Sequence, residues 1–166
     1  MIPRYHLLAE RLRSELQQLE KVVTRTEGAL VRARQNVQDQ DYFIAAAALD
    51  LHSFYAGLER LFELIAADVD KSQPTTPRWH RDLLIQMTIA ASGLRPAVIR
   101  LESYNALAEY LEFRHVVRNV YTFNLRPLRV IELIEGLRPV FALVQQDLLT
   151  FAAFLDELSN ADQEVA

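Results

Sequence analysis

Residues 44–69 read IAAAALDLHSFYAGLERLFELIAADV, and this stretch decides the fold. Its apolar side chains recur every three or four residues, from Ile44 through Leu51 and Leu58 to Val69, which is the spacing of one face of an α-helix. The alanines at 45–48 would let a neighbouring helix approach closely. We therefore predict a central helix that lies in the core of a helical bundle.

The segments on either side of this helix show the same periodicity. A long first helix is expected to begin at Pro3 and to continue through Gly28, although a glycine inside a helix costs about 1 kcal/mol relative to alanine. A shorter helix is predicted at residues 79–92, and a fourth is predicted to restart at Pro96 and to end at residues 122–127. The last helical segment is predicted at residues 128–158, where Pro139 should kink or divide it.

The connections between these segments are short and polar. Residues 36–41 and 71–77 lack the helical pattern, and the second of them contains two prolines. Neither half of the chain has enough amphipathic helices to close a core of its own. We therefore expect one all-α domain over residues 1–166, an up-and-down bundle of about five helices with a polar tail at 159–166.

The composition limits the possible functions. The chain of 166 residues contains no cysteine, which excludes a disulfide scaffold, a thiol nucleophile and a zinc–thiolate site. We find no apolar signal core and no run long enough for a membrane span, so a cytoplasmic protein without membrane contact is expected. The net charge of −4 argues against general binding of polyanions. Contact with a nucleic acid would have to come from a local patch, and we identify no spacing of ligands that favours a metal or a cofactor.

Positive charge is concentrated late in the chain. Residues 110–125 read YLEFRHVVRNVYTFNL, and on a continuous helix Arg114, Arg118 and Tyr121 would share one stripe. Guanidinium groups bind phosphate through paired hydrogen bonds, so this stripe could hold RNA. The alternative is a solvated face whose arginines form ion pairs with acids such as Glu109 and Glu112.

Residues 114–121 resemble the signature of the HEPN superfamily, and more closely that of the HepT-like toxins of HEPN/MNT toxin–antitoxin pairs. That signature is an arginine, a polar residue, three residues, a histidine, one residue and a tyrosine. Arg114, His115 and Tyr121 are in register, whereas Asn119 stands where the family has histidine. Residues 51–55 and 79–84 also resemble stretches of HepT-like proteins.

The resemblance implies a HEPN-like bundle and a metal-independent ribonuclease toxin, usually a homodimer whose two signatures face a shared cleft. It implies catalytic roles for Arg114 and for the position of Asn119, and it places His115 and Arg118 where they could bind RNA. Arginine would stabilise charge on the phosphorane, whereas Asn119 cannot move protons at neutral pH. His115 is a candidate substitute base.

The resemblance also implies a partner, the MNT nucleotidyltransferase antitoxin, which would adenylylate the signature tyrosine, here Tyr121. Two other interpretations remain open. Because of Asn119, the protein could be a catalytically impaired HEPN module that binds RNA or a partner without cutting. It could also be a plain helical interaction protein in which Arg114 and Arg118 are structural ion-pair donors.

Overall fold

The computed structural model describes residues 3–165, and this part of the chain forms five α-helices. Their bounds are Arg4–Gln35 for α1, Gln40–Ile65 for α2, Trp79–Met87 for α3, Leu101–Asn119 for α4 and Pro127–Val165 for α5. A π-helical turn at 66–70 extends α2, and 3-10 turns lie at 37–39 and 122–124. Within residues 3–165, β-type pairing is limited to an isolated bridge between Ala91 and Arg95. The predicted all-α bundle is confirmed.

Helix α2 is the centre of the bundle, as its apolar pattern predicted. It packs against each of the other four helices. Near its middle the ring of Phe54 lies edge-on to Tyr110 of α4 and to Phe141 of α5, with ring centroids 5.9 and 6.2 Å apart. Such edge-to-face pairs stabilise a core beyond the burial of their area. The hydroxyl of Tyr110 donates a 2.6 Å hydrogen bond to the carbonyl of Leu133 and so ties α4 to α5.

Helices α1 and α2 approach each other closely at Gly57. A Cβ atom built there would lie 2.9 Å from Cδ2 of Leu19, so the absence of a side chain permits the contact. Gly28 has a different environment, because a Cβ there would meet nothing within 4 Å. Helix α1 nevertheless passes through Gly28 without a break.

The segment between α3 and α4 differs from the prediction. Helix α3 ends at Met87, not at Ser92, and the Met87 carbonyl accepts the N–H groups of both Val98 and Ile99. Helix α4 begins at Leu101, not at Pro96, because Asp147 of α5 fixes its start. The carboxylate of Asp147 accepts a 3.1 Å bond from the Arg100 N–H and a bond from the Ser103 hydroxyl. Val98 and Ile99 are buried, but they lie in irregular backbone and not in the predicted helix.

Helix α5 is longer than the prediction. It begins at Pro127, is not divided at Pro139, and continues to Val165. Residues 160–165 are exposed, as expected of a polar tail, but they continue α5 instead of following its end, and Ala166 lies outside the described residues. Ser159 is only 2% exposed. Asp156 holds this end of α5 against α1, since it contacts Arg13 at 2.6 Å and His6 at 2.8 Å.

No helix among residues 3–165 is both long enough and apolar enough to cross a membrane.

Candidate functional site

A groove of about 590 Å³ lies between the start of α3 and the last turns of α4. It collects four of the five candidate residues of the sequence analysis, namely Arg114, His115, Arg118 and Asn119. The remaining lining residues are Pro77, Arg78, His80, Arg81, Leu111 and Glu112. The spacing on one helix explains the first group, whereas the second group is brought there by the packing of α3 against α4.

The groove is strongly basic for a protein that carries net negative charge. Arg78, Arg81 and Arg118 are exposed, and Arg114 adds a fourth guanidinium group at the floor. Glu112 is the acid among the lining residues. Clustered arginines within a concave surface attract an anion and can bind its oxygens directly.

Arg114 is more deeply buried than an ordinary solvent-facing arginine, with only 13% of its side chain exposed. Its acidic neighbour is not Glu109 or Glu112 but Glu59 of α2, whose Oε1 lies 3.6 Å from Nη2. Glu109 is instead close to Arg129, at 3.8 Å. The Nε atom of Arg114 is buried and has no hydrogen-bond partner among the described residues. Buried polar groups are rarely left unpaired, so the fold does not satisfy this arginine as it would a purely structural one.

The sequence analysis did not identify Arg78, His80 or Arg81 as site residues, and it also missed Glu59. Its side chain is only 5% exposed, and its Oε2 lies 2.7 Å from Nδ1 of His80. The ring of His80 is stacked on Trp79, with centroids 3.6 Å apart and planes inclined by 28°. One buried carboxylate therefore holds a histidine of α3 with one oxygen and faces an arginine of α4 with the other. The available signal was a lone acid inside the apolar stretch LERLF at residues 58–62.

Two further groups of α2 lie near the same charges. Burial, and after it the positive charges of Arg114 and Arg118, lower the pKa of His52, which favours its neutral form. The hydroxyl of Tyr55 is buried without a hydrogen-bond partner in the described chain, and burial raises its pKa far above the usual value. The positive charges of Arg114 and Arg118 thus act on His52 of α2 as well as on the groove.

His115 and Asn119 are neighbours on the last turn of α4. The amide of Asn119 donates a 2.7 Å hydrogen bond to the His115 carbonyl, and the same nitrogen lies 3.5 Å from the imidazole Nδ1. Both residues are exposed. The structure therefore brings the candidate substitute base into contact with the asparagine at the signature position.

Tyr121 does not lie on the stripe that the sequence analysis assigned to it. Helix α4 ends at Asn119, and both Val120 and Tyr121 have extended backbone, with ψ angles of 155° and 145°. The side chain of Tyr121 is 73% exposed and stacks on Phe123, with ring centroids 5.3 Å apart. The stripe required a helix through residue 121, so this prediction was wrong, although Tyr121 follows directly on the end of the groove.

In the part of the chain that the structure describes, no group of three or more His, Cys, Asp or Glu side chains has the arrangement of a metal site.

Comparison with known proteins gives one result that bears on this site. The family model described as "HepT-like protein" matches residues 46–155, which include most of α2, all of α3 and α4, and most of α5. No curated protein and no solved structure gave a significant match. The matched segment covers more than half of the chain and contains the whole groove, as well as Glu59 and His80. The chain therefore belongs to the HepT-like family.

Proposed function

We propose that this protein is the toxin of a HEPN/MNT toxin–antitoxin system and that it cleaves RNA in the cytoplasm without a metal ion. The observation that carries the proposal is the basic groove, in which Arg114 and Arg118 meet His115 and Asn119 at the end of α4. Membership of the HepT-like family supports a HEPN-type toxin module. The chemistry of the groove suits a phosphodiester, because its donors are mainly guanidinium groups.

The residues have different roles in this proposal. Arg114 lines the groove and stabilises the charge that develops on the phosphorane, and its Nε has no hydrogen-bond partner in the described chain. Arg118 is exposed and holds a phosphate of the bound strand, with His115 beside it. Asn119 orients the ribose or the phosphate by hydrogen bonds.

Growth assays and cleavage of a fluorescent RNA test the proposal. Expression of the parent should arrest growth, and Arg114→Ala should abolish both arrest and cleavage. Arg118→Ala should weaken binding and reduce the slope of log K against log salt by about 0.7 for a single strand. Arg25→Ala is the matched control, because Arg25 is an exposed arginine of α1 outside the groove. Undiminished cleavage by Arg114→Ala, or cleavage that a chelator abolishes, would contradict the proposal.

Tyr121 is the proposed site of control by the MNT nucleotidyltransferase. Its phenolic oxygen would attack the α-phosphorus of ATP, pyrophosphate would leave, and the phenolic proton would pass to a base of the partner enzyme. Its high exposure and extended backbone support this role, since a second active site must reach the hydroxyl. The AMP group would add negative charge beside the arginines of the groove and oppose the approach of RNA.

Co-expression with the nucleotidyltransferase and intact-mass measurement test this control. The parent should gain the mass of one or more AMP units and lose toxicity, whereas Tyr121→Phe should remain toxic and unmodified. Tyr42→Phe is a closely matched control, because Tyr42 is also 73% exposed. Neutralisation of Tyr121→Phe as efficient as that of the parent would remove Tyr121 from the mechanism.

A homodimer with two facing grooves is part of the proposal. Apolar side chains next to the groove support it, because Phe123 and Leu128 are 81% and 77% exposed and Val116 and Val120 about half as much. Such side chains on one region of a surface are typical of a contact area. Light scattering would report the mass, and Phe123→Asp should produce a monomer.

The second candidate function is a catalytically impaired HEPN module that binds RNA or a partner. Asn119 favours it, because an amide in place of a histidine removes acid–base catalysis worth about 10²- to 10⁴-fold in rate. Restoring the family residue with Asn119→His separates the two functions. A large gain in cleavage would indicate an impaired parent, whereas no gain would mean that another group transfers the proton.

A further inference from the structure

A histidine–carboxylate pair lies in the groove outside the signature segment. His80 lines the groove from α3, and its Nδ1 is bound to Glu59, whose carboxylate also faces Arg114. Charged and titratable groups from three helices therefore meet at one buried carboxylate. A connection of this kind is more than is needed to anchor a short helix that already buries Leu83, Leu84 and Met87.

We propose that His80 is the general base of RNA cleavage and that Glu59 is its positioning residue. The inference rests on the proposed ribonuclease function and supplies the proton transfer that Asn119 cannot perform. With Nδ1–H donated to Glu59, the neutral imidazole carries its lone pair on Nε2. The ring is 27% exposed, and the stacking of Trp79 on its face restricts its rotation. A fixed tautomer, a fixed ring and an anionic partner are what a histidine base requires.

The other histidines near the groove are less well arranged. His115 is exposed and contacts the amide of Asn119, so no carboxylate orients it within the described chain or stabilises its protonated form. His52 does not line the groove, and the arginine charges around it disfavour protonation. His80 combines access to the groove with a buried acid.

Cleavage proceeds by attack of the ribose 2′-hydroxyl on the adjacent phosphorus. Nε2 of His80 takes the proton of the ribose 2′-hydroxyl, O2′ forms a bond to phosphorus, and the bond from phosphorus to O5′ breaks. Arg114 stabilises the charge on the non-bridging oxygens, and the O5′ leaving group takes a proton from water. The products are a 2′,3′-cyclic phosphate and a free 5′-hydroxyl. The imidazolium of His80, stabilised by Glu59, then returns its proton to water.

Two substitutions of His80 separate catalysis from anchoring. His80→Ala removes the base and the contact with Glu59, whereas His80→Asn keeps an N–H donor near the position of Nδ1 and removes the base alone. Both should reduce kcat by about 10²- to 10⁴-fold with a small change in KM. His6→Ala is the matched control, because His6 forms a similar pair with Asp156 on α1 and α5. It should cleave like the parent.

Rescue by a small molecule gives a readout that an anchoring role would not produce. Free imidazole should restore part of the activity of His80→Ala and none of that of Arg114→Ala. Glu59→Gln should lose kcat to an intermediate extent, because an amide oxygen still accepts the Nδ1–H bond but does not stabilise the imidazolium. Circular dichroism and thermal unfolding of each variant establish that it is folded.

The outcomes distinguish this inference from the proposed function. If His80→Asn cleaves at the parental rate while Arg114→Ala is inactive, the Glu59–His80 pair is an anchor and the inference is overturned, whereas the ribonuclease proposal stands. Loss of activity in folded His80→Ala that imidazole does not restore would also overturn the assignment of His80 as the base. A parent that neither cleaves RNA nor arrests growth would overturn both.

Discussion

Two buried arginines offer a direct test of whether Arg114 serves function or stability. Arg95 is 2% exposed in its side chain and forms a paired contact with Asp70. Its guanidinium group also donates to three backbone carbonyls, those of Ile89, Pro96 and Gln86. Arg114 forms no hydrogen bond with the described residues, and its nearest acid is 3.6 Å away. The same substitution, arginine to methionine, should therefore have opposite consequences at the two positions.

The expected change in the free energy of unfolding depends on which groups each substitution leaves unpaired. Arg95→Met leaves the buried Asp70 carboxylate with the Gln86 amide as its remaining donor and removes the guanidinium from three carbonyls, and breaking a buried pair in this way costs about 3–5 kcal/mol. Arg114→Met removes a cation that lies 3.6 Å from Glu59, but it also removes an unpaired donor whose burial itself costs about 1–3 kcal/mol, and Glu59 keeps its contact with His80. We expect Arg114→Met to change the free energy of unfolding by less than about 1 kcal/mol, or to stabilise the protein.

Thermal unfolding followed by circular dichroism, combined with a growth assay, measures the contrast. Arg95→Met should lower Tm by about 6–20 °C, whereas Arg114→Met should stay within about 4 °C of the parent. Arg114→Met should nevertheless lose toxicity completely. If it is destabilised as strongly as Arg95→Met, Arg114 is a structural ion-pair donor, and loss of activity in its variants says nothing about chemistry.

Three further predictions concern the fold. Gly57→Ala should destabilise the protein by about 1–3 kcal/mol through overpacking against α1, whereas Gly28→Ala, which meets open space, should stabilise it by about 0.4–1 kcal/mol; urea titrations would measure both. Burial raises the pKa of Asp156, but bonds from Arg13 and His6 outweigh this and lower it. Its contribution is therefore present above the unfolded pKa and is lost as pH falls through the folded pKa, and Asp156→Asn should flatten the acid limb of stability against pH.

The sequence predicted most of the helical framework because periodicity and breakers act locally. The apolar stripe of α2, the polar connector before it and the start of α5 at Pro127 all agree with the structure. The predicted helix bounds are wrong where contacts with residues distant in the sequence determine them. Asp147 of α5 fixes the start of α4, and packing of α5 against the rest of the bundle buries Ser159, just past the predicted end of that helix. Neither interaction leaves a trace in the local pattern.

The candidate site was predictable only where it lies on one helix. Arg114, His115, Arg118 and Asn119 were found because one segment carries them. Tyr121 was misplaced because no glycine or proline marks the end of α4 at residue 119, and the helix ends several residues before Pro127. His80 was placed at the start of a predicted helix, in a segment that resembles HepT-like proteins, and was not identified as a site residue.

Glu59 was hidden for a different reason. It lies on a core helix that was predicted from its apolar residues alone, and its partners come from α3 and α4. A buried carboxylate is costly unless cations or donors satisfy it, so its position inside an apolar stretch is a sign of such partners. The position of Glu59 in the sequence therefore indicates that it has a partner but does not identify the partner residue.

The replacement of the signature histidine by Asn119 matters less if another histidine of the groove can act as the base. On the sequence alone, an asparagine at the histidine position implies impaired acid–base catalysis, with His115 as the candidate substitute base within the segment. In the folded chain Glu59 is held between the arginine that the signature supplies and a histidine that it does not. A base can be relocated if the new residue reaches the same phosphate, because the reaction requires a proton acceptor near the 2′-hydroxyl and not a particular position in the chain. Asn119 is then free to hold the backbone of the last turn of α4, as its bond to the His115 carbonyl does.

Activity in the double variant His80→Asn with Asn119→His, but not in His80→Asn alone, would show that the two positions are alternative sites for one function. Inactivity of that double variant, with Asn119→His alone more active than the parent, would mean that both histidines are needed together.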